Sequence, residues 1–385
     1  MNDSGNLAWM MMASAMVLLM TPGLAFFYAG LGRTDKVINT LMLSFVSMGV
    51  VSIVWLLWGY SLAFSGGNGF IGNLDNALLI NIDWSDANTL IFVAFQGMFA
   101  IITPALITGA IIERFKFSTY LIFLVAWVTF VYAPICHWVW ADSGWLFQRG
   151  ALDFAGGTVV HINAGIAAIV AAYLVGPRKL KANRNTIIGS PNVPFVLLGT
   201  ALLWFGWFGF NAGSALAADS RAVMAFLTTN IAAGSAMTTW FLLEYLKTRN
   251  FSPLALAAGA VAGLVAITPA SGFVTPLSAL IIGFLAGSMC YGVILLKERY
   301  KEHLKAIDDA LDVFPLHGVA GIIGAIATGI FAVEIIGGTK GLIEGNTSIL
   351  LEQLIAIFAT MGYSAVASFV ILLVLKHTVG LRIKD

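Results

Sequence analysis

The chain has 385 residues, of which 59% are hydrophobic and only 10% are charged, and its mean hydropathy is +0.91. Ordinary soluble domains are far more polar, so this composition excludes them and predicts a membrane protein. The formal net charge is +1, and no basic tail occurs that would favour a nucleic-acid partner. The 40 glycines are typical of helices that approach one another closely in a bilayer.

Largely apolar runs of roughly 18 to 28 residues recur along the chain, and each is long enough to cross about 30 Å of hydrocarbon. They predict an all-α membrane protein with eleven transmembrane helices, near residues 8–32, 37–65, 89–112, 118–137, 156–176, 194–215, 222–246, 252–267, 275–296, 313–331 and 349–375. The first run lacks the basic segment of a signal peptide, so we expect it to be retained as a span. Cys136 and Cys290 lie in apolar runs and indicate no disulfide framework.

The loops between these spans differ in charge from one side to the other. If the N-terminus is external, all 20 Lys and Arg residues fall in internal loops except Arg149, Arg221 and Lys340. Positive residues concentrate on the cytoplasmic side of membrane proteins. The pattern therefore predicts an external N-terminus and an internal C-terminus. It also favours eleven spans, because a missed span would move the later loops, with their Lys and Arg residues, to the opposite side of the membrane.

Similar fragments occur in the same order in both halves of the chain. They are FFYAG (26–30) with GFNAG (209–213), ITPA at 102–105 and 267–270, and the stretches from Asp153 to His161 and from Asp312 to His317. Each repeat contains five spans. Because this number is odd, the second copy begins on the opposite side of the membrane and is inverted relative to the first. We predict a single domain over 1–385, with repeats at about 8–176 and 194–331 and a final helix at 349–375. Inverted repeats place the functional site near the membrane midplane.

Two of the five histidines, His161 and His317, lie inside apolar spans. An ionisable group at this depth is costly and marks a pathway or relay by default. With the second repeat inverted, His161 lies about 12 Å inward from Asp153 and His317 about 8 Å inward from Asp312, so the imidazoles approach from opposite faces. The alternative is that both are packing residues, each hydrogen-bonded to its own neighbours.

Enzyme motifs are missing or out of context. Gly67, Gly69 and Gly72 spell the dinucleotide pattern GxGxxG, but no predicted strand precedes it and no helix follows directly. HExxH, Walker A and GxSxG motifs do not occur. Cys136 and His137 form a lone pair, which does not make a metal site, and we expect His137 to be interfacial. We therefore predict neither an enzyme nor a cofactor.

Four motifs together are distinctive: DFAGGTVVHINAG at 153–165, GWFGFNAGS at 206–214, ITPA before a glycine turn at 267–272, and DVFPLHG at 312–318. On these motifs the chain resembles the ammonium transporter family (Amt/Mep/Rh), of prokaryotic Amt type, over essentially its whole length. The resemblance implies a multi-pass protein of the plasma membrane that assembles as a homotrimer. Each subunit would contain its own narrow apolar pore for ammonium or ammonia.

The resemblance also implies an outer site that recruits ammonium. Trp140 and Ser214 would form it, with Phe99 nearby. Around Trp140 the match is looser and needs a one-residue insertion, so Trp145 is a rival for the recruiting indole.

Further inward, the resemblance implies a gate and a pore. Phe99 and Phe210 would be a stacked phenyl gate, with Phe95 as a neighbouring wall residue. His161 and His317 would be the twin pore histidines.

Four more residues are expected to support this site. The resemblance makes Asp153 a buried aspartate that shapes the outer vestibule, and it places Trp207 and Thr268 near the pore. The repeat pairs Asp312 with Asp153.

These residue types suggest a mechanism. Aromatic faces attract a cation by about 0.5 to 2 kcal/mol per ring, and the Ser214 hydroxyl can accept an N–H bond. An apolar pore would reject an intact cation, so we expect ammonium to lose its proton near Phe99 and Phe210 and to pass the histidines as NH3. Na⁺ and K⁺ have no proton to lose.

Two other functions remain open from the sequence. The histidine pair could be the axial ligands of haem in a redox protein, or the same site could belong to an ammonium sensor that acts through a partner. Sensors tend to carry a soluble output domain, and only about ten residues follow the last predicted span.

The resemblance further suggests a PII-type signal protein at the cytoplasmic face, for which the basic stretch at 177–184 could supply a docking surface. Its charges are also explained by topology alone, which we favour.

Overall fold

The computed structural model describes residues 3–178 and 192–383. Within them the chain forms eleven long helical segments: α1 (Ser4–Leu31), α2 (Thr34–Phe64), α3 (Ala87–Ile111), α4 (117–140), α5 (Gly157–Val175), α6 (Val193–Gly213), α7 (Ser220–Thr248), α8 (Pro253–Ile267), α9 (Pro276–Arg299), α10 (Phe314–Phe331) and α11 (Ser348–Thr378). Each predicted run coincides with one segment. The protein is therefore a helical membrane protein with about nine to eleven apolar helices.

Nine of these segments, counted over residues 3–178 and 192–383, are long and apolar enough to cross a membrane. Of the other two, α8 has only 15 residues and α7 is long but more polar. The crossing of the bilayer by all eleven segments stays a prediction.

Side-chain caps explain where many of the helices begin. An oxygen of the preceding residue accepts a hydrogen bond from a first-turn N–H, which removes one of the unpaired donors at a helix start. These caps are Asp3, Asp86, Asn192, Asp219, Ser252 and Thr275, for α1, α3, α6, α7, α8 and α9.

One part of the described chain departs from the predicted all-α fold. The glycine-rich stretch after α2 forms a small antiparallel hairpin of β1 (Gly67–Asn68) and β2 (Ile71–Gly72). His137 at the end of α4 holds it, because its ring nitrogens lie 2.9 Å from the Ala63 carbonyl and 2.8 Å from the Asn68 carbonyl. The His137 side chain, which we expected at the membrane interface, is fully buried in the protein.

Four stretches of the helices are wound as π-helix, at Trp55–Gly59, Val128–Tyr132, Gly157–Ile162 and Phe314–Val319. Such widened turns are rare and are found frequently at functional sites. The last two begin α5 and α10, and they carry the two predicted pore histidines.

The first helices of the two predicted repeats, α1 and α6, pack directly against each other. Glycines make this approach possible: a Cβ on Gly199 would lie 2.3 Å from the Phe27 backbone nitrogen, and one on Gly30 would lie 2.6 Å from the Val196 nitrogen. Close packing of small residues is the main source of helix association in lipid.

The cationic loops gather at one end of the bundle. Arg114, which is only 3% exposed, donates to the Gly176 and Asp308 carbonyls, so it joins the loops after α3, α5 and α9. Arg178 binds the Asp308 carboxylate at 2.8 Å, and Arg382 donates to the carbonyls of Val175, at the end of α5, and Pro177. These are loops that the charge pattern assigns to one side; that this side is cytoplasmic stays a prediction.

Charge pairing shifts the ionisation of this cluster, which lies outside the helices. Burial alone would raise the pKa of Asp308, but the hydrogen bonds from Arg178 outweigh it and lower that pKa. Burial lowers the pKa of Arg114 to about 10, so this side chain stays positive at neutral pH.

The α1–α6 contact can be tested with one methyl group. We expect Gly199→Ala to lower the melting temperature of the purified protein, because overpacking a close contact costs about 1 to 3 kcal/mol. Gly49→Ala on α2 is the matched control, since a Cβ there would have no atom within 4 Å. Equal melting temperatures for Gly199→Ala and the wild type would contradict the packing argument.

Candidate functional site

A cavity of about 230 Å³ opens at the end of the bundle opposite the cationic cluster. The charge pattern predicts that this end is external, so we call this cavity the outer cavity. Its walls include Trp140, Asp153 and Ser214, three of the predicted site residues. The Trp140 ring lies edge-on to Phe99, with centroids 5.7 Å apart, and its indole N–H donates to the Asp153 carbonyl at 2.9 Å. Two of the three predicted recruiting residues, Trp140 and Ser214, therefore line one cavity, and the third, Phe99, contacts Trp140 without lining the cavity.

The two candidate indoles lie in different surroundings. Trp145 packs against Phe70 and Trp138, with ring centroids 6.1 and 5.8 Å apart. Trp140, by contrast, contacts the predicted phenyl gate. The geometry favours Trp140 because it alone of the pair lines the outer cavity.

The sequence analysis missed Gln96, which also lines this cavity. Its side chain is 8% exposed, and its Oε1 is buried without a hydrogen-bond partner in the described part of the chain. A free carbonyl oxygen in such a place is an acceptor available to an N–H donor. The only signal in the sequence is that Gln96 is a lone amide within the apolar run of α3.

Asp153 organises the start of α5. Its carboxylate accepts hydrogen bonds from the backbone N–H groups of Gly156, Gly157, Thr158 and Val159, at 2.8, 2.6, 2.8 and 3.3 Å, and from the Thr158 hydroxyl. Burial raises its pKa, and these donors act in the opposite direction because they favour the carboxylate. Asp153 thus holds the turn that presents the first histidine.

Three phenyl rings pack together next to Trp140. The centroids of Phe99 and Phe210 are 4.3 Å apart with a tilt of 38°, and Phe95 contacts Phe99 at 4.8 Å. All three side chains are at most 1% exposed. They form the aromatic group that the resemblance predicts for the gate.

His161 and His317 meet on the inner side of these rings. Their Nδ1 atoms are 3.2 Å apart, and the rings are nearly parallel, at 16°. Trp207 stacks on His161 at 5.5 Å and donates its indole N–H to Thr268 Oγ1 at 2.9 Å. The two imidazoles are therefore in contact, and Trp207 and Thr268 lie beside them.

The space beside the histidines is small and apolar. It holds about 10 Å³, enough for about one water-sized molecule. Its walls are Met20, Leu24, Phe27, Ile102, Leu106, Val160, His161, Leu203, Trp207, Phe210, Val261 and His317. His161 Nε2 is buried with no partner among the described residues. A haem does not fit this space, so the redox alternative loses its support.

The prediction that Asp312 is the counterpart of Asp153 was wrong. Asp309 occupies that position: it lies eight residues before His317, as Asp153 lies eight before His161, and it accepts from the Val313 and Phe314 N–H groups at 3.0 and 2.8 Å. Burial raises its pKa to about 6.

Asp312 instead faces the surface near the cationic loops. Its carboxylate binds Lys297 Nζ at 2.6 Å, and its own backbone has a φ of +57°. The chain turns at this residue, which points the carboxylate away from the start of α10. The predicted basic docking surface at 177–184 lies, from residue 179 onward, outside the described residues.

Comparison with known proteins gives the family. The family model described as Ammonium Transporter Family matches residues 8–385. An ammonium transporter of Aquifex aeolicus is 47% identical over 392 aligned residues, which cover 100% of this chain and 90% of the relative. The chain belongs to the ammonium transporter family. It is a multi-pass protein of the plasma membrane.

Two solved structures show the same architecture. The crystal structure of Saccharomyces cerevisiae Mep2 has a TM-score of 0.90 and 37% identity, and the match covers 99% of this chain and 90% of that chain. A structure titled Sensor Amt Protein has a TM-score of 0.90 and 32% identity, with coverage of 99% and 95%. The transporter family thus shares this fold with a protein described as a sensor.

The two aspartates before α10 provide a matched test of the corrected assignment. We expect Asp309→Ala to destabilise the protein by about 1 to 3 kcal/mol, because buried N–H groups lose their acceptor. Asp312→Ala should cost at most about 1 kcal/mol, since it breaks a partly exposed ion pair. Melting temperatures of both variants check this order, and equal losses would contradict it.

Proposed function

We propose that this protein transports ammonium, recruiting NH4⁺ at the outer cavity and conducting NH3 past the two histidines. The names of its relatives support the substrate. The observation that carries the mechanism is the 3.2 Å contact of His161 with His317 in otherwise apolar walls. A pair of neutral polar groups there suits a small neutral molecule that can both donate and accept hydrogen bonds.

Recruitment rests on the outer cavity. Trp140 and Phe99 offer aromatic faces, each of which attracts a cation by about 0.5 to 2 kcal/mol. Gln96 Oε1 offers an unpartnered acceptor for one N–H of ammonium. Ser214 donates its hydroxyl proton to the Phe210 carbonyl at 2.8 Å, so the lone pairs of its oxygen can accept a hydrogen bond from another N–H of ammonium.

Selectivity follows from the apolar walls beyond the phenyl rings. Moving an intact ion into such surroundings costs far more than a few contacts return. Ammonium escapes this cost by releasing H⁺ on the outer side of Phe99 and Phe210, since NH3 is uncharged. K⁺ has no proton to release and is excluded.

The histidines supply the polar contacts of the inner passage. Neutral imidazole has one donor and one acceptor nitrogen, so the pair can exchange hydrogen bonds with NH3. Trp207 stacks on one face of His161 and so restricts the orientation of the imidazole ring. Carboxylate caps at Asp153 and Asp309 fix the backbone on both sides of the pair.

We place this pathway in a single domain over residues 1–385, with eleven crossings, inverted halves, an external N-terminus and a cytoplasmic C-terminus. The family resemblance supports a homotrimer and a PII-type signal protein at the cytoplasmic face. A signalling role through a partner is the second candidate function, favoured by the likeness to the protein titled Sensor Amt Protein.

Current measurements on reconstituted protein test the proposal. The wild type should give a current or an ammonia flux on addition of ammonium and none on addition of potassium, across a range of pH. Ammonium binding without either signal would support the sensor and overturn the transporter.

The histidine pair is tested by replacing both rings with apolar side chains. In the double variant His161→Leu and His317→Leu, we expect ammonium transport to fall at least about 10-fold, since 1.4 kcal/mol of lost stabilisation is already a factor of ten. The same reconstituted currents measure it, with melting temperature as the check on folding. Unchanged current and unchanged selectivity would defeat the proposed role.

The recruiting indole is tested by a matched pair. We expect Trp140→Leu to raise the half-saturating ammonium concentration about 2- to 30-fold, the equivalent of one lost cation–π contact. Trp145→Leu removes a similar ring outside the cavity and should change that concentration less than about 2-fold. The reverse order would make Trp145 the recruiting residue.

A further inference from the structure

One cation lines the outer cavity itself. Arg221, in the first turn of α7, shares this cavity with Trp140, Gln96 and Ser214. Helix dipoles favour anions at an N-terminus and disfavour cations, so α7 gains no stability from a positive charge at this end. The position therefore calls for another explanation.

The guanidinium of Arg221 is fixed in place. Its central carbon lies 4.9 Å from the centroid of the Phe154 ring and 4.7 Å from that of Phe273, and its Nε donates to the Gly272 carbonyl at 3.1 Å. The two phenyl rings contact each other edge-on at 5.6 Å. We call this arrangement of Arg221, Phe154 and Phe273 the arginine clamp.

The charge of Arg221 is not neutralised by an ion pair within the described ranges, residues 3–178 and 192–383. The nearby Asp219 caps α7 and accepts from the Ala222 N–H at 2.9 Å. The second cation at this end, Arg149, differs because it forms a two-bond pair with Glu352, at 2.7 and 3.0 Å. Of these two arginines, Arg221 alone presents an unpaired positive charge to the cavity.

We propose that Arg221 sets the affinity of the outer site, a proposal that rests on the proposed transport of ammonium. Its charge repels cations that enter the cavity, so the half-saturating ammonium concentration is higher than the aromatic site alone would give. Its guanidinium also occupies the faces of Phe154 and Phe273, which would otherwise offer a second cation–π site. Recruitment is thereby confined to Trp140 and Phe99.

Reconstituted transport at low and high ionic strength tests this. Arg221→Met keeps the apolar stem and removes the charge, and we expect it to lower the half-saturating ammonium concentration about 3- to 10-fold at low salt. At about 1 M sodium chloride the Debye length falls to about 3 Å, so the difference should shrink, and any part that remains measures the freed faces of Phe154 and Phe273. Arg221→Lys keeps the charge and should remain near the wild-type value.

Arg149→Met is the matched control, because it removes a cation from the same end that is already paired. Its half-saturating concentration should stay within about 2-fold of the wild type. If Arg221 only fastens α7 to the turn at Gly272, Arg221→Met will lower the maximal current or the melting temperature without a salt-dependent change in half-saturation. That result would overturn the proposal.

Failure of the transport proposal would be distinguishable, because the wild type itself would then give no ammonium signal. If Arg221→Met does not fold, Arg221→Gln replaces it. If neither variant folds, the salt dependence of the wild type tests the proposal. Because Asp153 is buried and its carboxylate is hydrogen-bonded, added salt screens the charge of Arg221 more than the charge of Asp153. The half-saturating ammonium concentration should therefore fall as the salt concentration rises. A constant or rising value would contradict the proposal.

Discussion

Burial of two imidazoles among apolar side chains is the constraint that shapes the centre of this protein. Each ring needs hydrogen-bond partners, and water is largely absent at that depth. The structure meets part of this need by pairing the Nδ1 atoms of His161 and His317 at 3.2 Å, while His161 Nε2 has no partner among the described residues. Everything around the pair, from the aspartate caps to the glycines of α5 and α10, serves to bring the two rings together.

The backbones of α5 and α10 cross at glycines. A Cβ on Gly165 would lie 2.4 Å from the Gly318 nitrogen, and one on Gly321 would lie 3.0 Å from the Gly157 carbonyl oxygen. Since the numbers rise along one helix as they fall along the other, the two helices run antiparallel. This close antiparallel crossing lets His161, in the first turns of α5, contact His317, in the first turns of α10.

Much of this was predictable from the sequence. Hydrophobic length gave the helical segments, because a bilayer sets the length of an apolar run. The histidine contact followed from two ionisable residues in apolar runs within oppositely oriented repeats. These features depend on local composition and on symmetry, both of which a sequence displays directly.

Other features depend on backbone geometry that no pattern displays. The counterpart of Asp153 was misassigned because Asp312 is closer to the motif before His317, whereas the spacing of eight residues selects Asp309. The clamp around Arg221 joins residues from three separate parts of the chain. Whether the Gln96 oxygen has a partner depends on all its neighbours at once.

The opposed arrangement of α5 and α10 has an electrical consequence. The positive dipole ends and the capping carboxylates of α5 and α10 lie on opposite sides of the histidine pair, so the axial fields of the two helices largely cancel at the histidines. If the proposed pathway runs past the histidines, the two helix dipoles favour neither direction of movement along it. Under the transport proposal, the net direction is set by the concentrations and the pH on the two sides of the membrane.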